Sequence, residues 1–213
     1  TDVTAAAGAG YKTLNVNSSK TASTIGTTTT SATTINVSGD AALTLSTLTL
    51  DAAAGNEVIT VTNTAGVTIT TALANDVTFT GGTGADSISI ANTAKTIDLG
   101  AGDDTATIST TAFSAGGSLN GGAGNDTLVV TTVADSNIAG LPHIVGFETL
   151  KLDGVATGGK HNAYTFKALE IGTIAIAAAA TATEFENVAA GVGLTVLADN
   201  AGDTTTVTLA NAT

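Results

Sequence analysis

The chain has no cysteine, methionine or tryptophan, and only one proline in 213 residues. Its six Lys+Arg residues are all lysines, so arginine is missing as well. Each absence removes a class of chemistry. Without cysteine there are no disulfide staples, no thiolate metal sites and no thiol nucleophile. Without arginine there is no bidentate clamp for phosphate or carboxylate. Aromatic residues make up only 3% of the chain, so a core must be built from Val, Ile, Leu, Ala and the methyl groups of Thr. Because methionine is lacking, residue 1 is not a retained initiator, and the chain reads as a processed or excised piece. No charged n-region followed by an apolar h-region stands at its start, so no signal peptide is expected. The most apolar stretch, IGTIAIAAAATA (171–182), falls well short of a membrane span.

What is present is acid, glycine and threonine. Eighteen acidic residues against six lysines give a formal net charge of −12. Such a surface repels nucleic acid and anionic lipid and attracts cations. The 25 glycines punctuate short runs in which apolar residues alternate with Thr, Ser or Asn. That alternation is what a half-buried strand requires. A hydrophobic fraction of 43% weighs against a disordered mucin-like stalk.

The runs keep time. From Val58 they begin at 58, 67, 77, 87, 96 and 105, a step of nine or ten residues. A step that short excludes βαβ crossovers and leaves a meander or a parallel solenoid, in which each strand and its turn form half a coil. Residues 1–57 share the composition without the clean period, as more solenoid or as a β-sandwich. After 130 the pattern loosens, with strands expected at 149–153, within 164–176, and at 194–197 and 205–210. The segment 175–189 carries both helix-favouring alanines and strand-favouring Thr and Ile, and is assigned to strand. The organisation expected is a Thr-rich β segment at 1–57, a parallel β-roll at 58–133 and a C-terminal β-rich segment at 134–213.

Three segments inside this cadence share one motif: GGTGADSIS (81–89), LGAGDDTAT (99–107) and GGAGNDTLV (121–129). They fit the nine-residue form G-G-x-G-x-D-x-U-x, with U apolar, of calcium-binding β-helix repeats. Glycines let the backbone reach positive φ and turn carbonyls toward a common point. The aspartate adds a hard anionic oxygen. Calcium takes six to eight such oxygens, so two stacked turns must share each ion. The expected ligand set is Asp86, Asp104 and Asp126, with the turn residues Gly81, Gly82, Thr83 and Gly84; Gly100, Ala101 and Gly102; and Gly121, Gly122, Ala123 and Gly124.

Spacing fixes how the copies stack. Asp86 and Asp104 are 18 residues apart, one coil. Asp104 and Asp126 are 22 apart, one coil plus four residues placed in TTAFSAGG (110–117). All three motifs then lie along one edge and frame two interstitial calcium sites, with Ile88, Ala106 and Leu128 pointing inward. Nine residues beyond Asp86 and Asp104, the other edge presents Lys95 and Phe113, which are not calcium ligands. Lys95 either stands where a metal would otherwise satisfy carbonyls or is solvated. Leu99, at the first motif position of the second copy, cannot use glycine's φ range. Asp103 and Asn125 read as exposed turn residues or accessory ligands. Weaker echoes at 37–45, 53–61 and 200–209 read as turns, and plain hairpin turns are the bland alternative for the whole cluster. His143 and His161 are isolated, and Glu184 and Glu186 share a strand face with nothing to suggest a cleft. No enzyme is expected.

Residues 81–129 resemble the RTX calcium-binding repeats of proteins exported by type I secretion in Gram-negative bacteria. With the sulfur-free, Thr-rich remainder and VGFETLKLDG (145–154), the chain is most similar to RTX-bearing bacterial S-layer proteins. The resemblance implies an all-β fold, a right-handed parallel β-roll or β-solenoid in the middle flanked by further short β-strands. It also implies about two Ca2+ ions and a secreted, cell-surface protein that assembles with copies of itself into an S-layer or extracellular fibre. Cell-surface polysaccharide is a further candidate partner; nucleic acid and membrane insertion are not expected. The other function carried is a calcium-dependent adhesin or a non-catalytic RTX secretion module of a larger exported protein.

Overall fold

A computed structural model describes residues 11–50, 55–73, 76–91, 94–108, 116–131, 143–153, 160–162, 172–176, 183–186, 191–196 and 207–210. Among them there is no helix, and every strand pairing is parallel. This decides between the two readings of the nine-to-ten-residue step, because a meander pairs antiparallel. The fold is an all-β parallel solenoid.

Two long sheets form its faces. The first stacks β1 (Thr13–Ser18), β4 (Thr34–Gly39), β7 (Val58–Val61), β9 (Thr78–Thr80), β11 (Thr96–Asp98), β13 (Ser118–Asn120) and β15 (Ile144–Val145). The second stacks β2 (Ser23–Ile25), β5 (Leu43–Leu45), β8 (Val67–Leu73), β10 (Ser87–Ile90), β12 (Thr105–Ile108), β14 (Thr127–Val130), β16 (Thr149–Leu152), β18 (Thr173–Ile176) and β20 (Gly193–Val196). The chain alternates between them, one strand from each per coil. A small sheet of β3 (Thr28–Thr30) and β6 (Leu48–Leu50) adds a third face to the first coils, and beyond β16 the described strands alternate between the second sheet and a sheet of β17 (Lys160–Asn162), β19 (Thr183–Glu186) and β21 (Val207–Ala210). Residues 13–50 therefore belong to the solenoid rather than to a sandwich, and pairing runs unbroken from β4 to β7 and from β14 to β16.

Alternation in sequence becomes ladders in space. In the first sheet Ile35, Ile59, Phe79, Ile97, Leu119 and Ile144 stand in register, each at most 1% exposed. In the second, Leu45, Ile69, Ile88, Ala106, Leu128 and Leu150 do the same. The inward placement expected of Ile88, Ala106 and Leu128 is what the sheet shows. The two ladders meet in one hydrophobic core, and each large aliphatic or aromatic side chain buried there contributes about 1.5–3 kcal/mol. On the outer face Thr68, Ser87, Thr105, Thr127 and Thr149 form a hydroxyl ladder. Thr suits it, since its branched Cβ favours strand while its hydroxyl tolerates water.

Some of the buried polar side chains serve turns. Asn63 is fully buried after β7, its Nδ2 donating to Ala41 O at 2.9 Å and its Oδ1 accepting from Ala65 N at 2.8 Å. Asn63→Ala would leave the buried Ala41 O without its donor and remove the partner of Ala65 N, and is expected to cost about 2 kcal/mol. Urea unfolding of the variant reads this as a lower midpoint; an unchanged midpoint would mean that the turn is satisfied another way.

Candidate metal edge

The candidate site lies where the chain leaves the first sheet and enters the second. In the lower coils the residue just before the outer Thr ladder is apolar: Leu43 and Val67 stand in register and are buried. In the next three coils that position is Asp86, Asp104 and Asp126, at 1%, 1% and 0% exposure. An acid has taken a core position three times in succession.

Each carboxylate reaches back one coil. Asp86 Oδ1 accepts from Val67 N at 2.7 Å, Asp104 Oδ1 from Asp86 N at 2.6 Å, and Asp126 Oδ1 from Asp104 N at 2.8 Å. The second oxygen, Oδ2, of all three is buried and accepts no hydrogen bond. Burial raises the pKa of Asp86 to about 6, partly offset by the backbone N–H groups of Val67 and Gly82. Burial, reinforced by the like charges of Asp86, Asp126 and Asp103, raises that of Asp104 to about 7. Asp126 is raised too, by burial first and then by Glu148 and Asp103. A buried carboxylate with one unpartnered oxygen wants a proton or a cation.

The glycine turns stack the coils tightly. Ala101 N donates to Gly82 O at 2.8 Å and Ala123 N to Gly100 O at 3.0 Å, while Gly102 N donates to Ala123 O at 2.9 Å. Gly82, Gly100 and Ala123, three residues of the expected ligand set, thus already share their carbonyls with a neighbouring coil. Positive φ appears at Gly100, Gly102, Gly122 and Gly124, but not in the first copy. Nor does it appear at the first motif position in any copy, so Leu99 breaks no backbone requirement there; its side chain is fully buried in the core. Thr83, Ala123, Asp103 and Asn125 are exposed at the turn tips, with Asn125 N donating to Asp103 Oδ1 at 2.9 Å.

Register bears out the stacking arithmetic. Ser87 pairs with Thr105, 18 residues on, whereas Thr96 pairs with Ser118 and Thr105 with Thr127, each 22 on. The four extra residues therefore fall between Ile108 and Ser118. On the opposite edge Lys95 is half-buried and donates to Asn56 Oδ1 at 2.6 Å, a third arrangement beside the two expected of it. Phe113 lies outside the described residues, as do residues 200–206 of the last weak echo. The echo at Gly39 and Asp40 is a turn, Asp40 being exposed and accepting from Lys20 N at 3.1 Å. His143 is exposed, and His161, Glu184 and Glu186 lie on paired strands β17 and β19.

One residue of the column escaped the motif. Glu148 extends the column by a coil: its Oε2 accepts from Asp126 N at 2.7 Å. It has no G-G-x-G ahead of it, but its distance of 22 residues from Asp126 repeats the interval before. Among the described residues no three acidic or histidine side chains converge on one point. The edge offers one carboxylate per coil, so further donors must come from the backbone. The unpartnered Oδ2 atoms fit a hard cation on these terms. No family model matches the chain, and no curated protein matches it in sequence.

Proposed function

We propose that this edge binds calcium, about two ions shared between successive coils, and that the chain is a calcium-stabilised structural protein of the bacterial cell surface that self-assembles into an S-layer or extracellular fibre. The observation that carries the calcium reading is the column of buried aspartates, each with an unpartnered Oδ2. Asp86, Asp104 and Asp126 would supply the charged oxygens, and the turn carbonyls of 81–84, 100–102 and 121–124 the neutral ones. A bound divalent cation would offset the repulsion among these acids and screen part of the net charge of −12.

The resemblance of 81–129 to RTX repeats supports the secreted, surface-exposed assignment, because calcium is plentiful outside cells and scarce within. Self-assembly is supported by the flat ladders of Thr and by β1 and β15, which end the first sheet and have one edge each without a described partner. Electron microscopy of the purified chain with millimolar calcium is expected to show ordered sheets or filaments that disperse in chelator. Persistent monomers under both conditions would leave the adhesin or secretion-module reading in its place.

A further inference from the structure

The column of acids runs one coil beyond the last glycine turn. Thr149 pairs with Thr173, which sets Gly172 over Glu148, so no acid follows it. Beneath Asp86 the same position is Val67. Asp86, Asp104, Asp126 and Glu148 therefore frame three gaps between coils, whereas the glycine motifs account for two.

The third gap is built like the first. In the first, a Cβ placed on Gly81 would meet Leu99 O at 1.8 Å and Asp86 Oδ2 at 2.9 Å. A carbonyl from the coil above and an unpartnered carboxylate oxygen thus come together over that glycine. In the third, a Cβ on Gly121 would meet Gly146 O at 1.8 Å and Asp126 Cβ at 2.9 Å. Gly146 stands over Gly121 as Leu99 stands over Gly81, each one residue past the pairs Asn120–Val145 and Thr80–Asp98. Asp126 has spent its Oδ1 on Asp104 N below, and its Oδ2 is buried without a partner. Glu148 stands where a fourth aspartate would, holding Asp126 N through Oε2 at 2.7 Å.

What differs is the turn above. Asn120 and Val145 are 25 residues apart but Thr127 and Thr149 only 22, so this turn is three residues shorter than the glycine loop beneath it. The extra methylene of glutamate makes up the reach that the missing loop would have given. Phe147, between Gly146 and Glu148, is fully buried. The gap offers two carboxylates but fewer carbonyls than its neighbours, and calcium, which takes six to eight oxygens, would keep more water there. We propose that the gap between Asp126 and Glu148 holds a third calcium ion, bound more weakly than the two of the glycine loops. This third site rests on the calcium reading of the column, and Glu148 is its ligand from outside any glycine motif.

Calorimetric titration of calcium into the chelator-stripped full chain tests this. About three equivalents are expected, the last at least tenfold weaker than the others. Glu148→Gln removes the charge, while its amide oxygen can still accept from Asp126 N. The variant should bind about two, with the tight affinities and the circular dichroism unchanged. If it fails to fold, the parent's count alone decides. Two equivalents or fewer in the parent, three in the variant, or a folded variant that loses the tight sites as well would overturn the third site. Two in the parent would leave the calcium reading standing, and none would remove both.

Discussion

Saturating calcium is expected to raise the melting temperature of the chelated chain by roughly 10–20 °C. Each ion that binds only the folded state adds about 2.7 kcal/mol at a hundredfold excess over its Kd, so two add about 5 kcal/mol. For a chain of this size each kcal/mol moves the midpoint by about 2–4 °C. Asp104 lies between Asp86 and Asp126 in the column and would serve both ions, so Asp104→Asn should abolish most of the response. In chelator at pH 8 the same substitution should have the opposite sign. It removes a buried charge that is repelled by Asp86, Asp126 and Asp103, while an amide oxygen can still accept from Asp86 N. The variant is therefore expected to melt a few degrees above the parent without calcium and well below it with calcium. A chelator titration that moves neither melting temperature nor circular dichroism would sink the calcium reading, and parallel curves for the two proteins would remove Asp104 from the site.

Protons should substitute for the metal. Burial raises Asp86 from 3.8 to about 6 and Asp104 from 3.8 to about 7 on folding. A group whose pKa is raised by folding stabilises the fold fully below its unfolded value, and that contribution is lost as pH climbs through the folded one. The chelated chain should accordingly be most stable near pH 4 and weaken between about pH 4 and 7, and the advantage of Asp104→Asn should vanish at the acid end. With calcium bound the trend reverses, since the ligands must be deprotonated and acid competes for them.

Much of this edge could be read from intervals alone. The 18- and 22-residue spacings of Asp86, Asp104 and Asp126 gave the coil length, the stacking of the motifs and the place of the four-residue insertion, because in a parallel solenoid sequence separation is register. Strands with alternating apolar residues, such as β1, β4, β7, β10, β12 and β14, were legible for the same reason. β2, β3 and β13 were not: Ser23–Ile25 and Ser118–Asn120 hold one aliphatic residue each and Thr28–Thr30 none, so no two-residue period could show. They are strands because the coil above or below offers a ladder to join. ALTLSTLTL reads as one run yet bends into β5 and β6 across Ser46 and Thr47, a corner written only in the third face. Glu148 and Glu57 were hidden by motif thinking. The first lacks its glycines, and the second sits in the weak echo at 53–61 that reads as a turn, yet it is buried.

Replacing Gly122 with alanine should disrupt the edge severely, as should the same change at Gly124, whose added Cβ would sit 1.9 Å from Gly102 O. At Gly122 the φ of 103° is already unfavourable for a residue with a Cβ, which alone costs about 1–3 kcal/mol. The added Cβ would also sit 2.0 Å from Gly100 O. That oxygen belongs to the backbone of the coil beneath and holds Ala123 N at 3.0 Å, so neither partner can turn aside. The coils must part, and with them goes the contact by which Asp126 reaches Asp104 N. Gly116 provides the control: its φ is 97°, but a Cβ there meets nothing nearer than Ala94 O at 3.7 Å. Gly116→Ala should lose only the conformational part, while Gly122→Ala should lose more than about 4 kcal/mol, placing it among the exceptional substitutions. The calcium response should separate them as well, surviving in Gly116→Ala and failing in Gly122→Ala, because only the second glycine sets the spacing between two carboxylates. Equal losses of stability in the two variants would mean that backbone conformation, and not the stacking of the coils, is what glycine supplies at this edge.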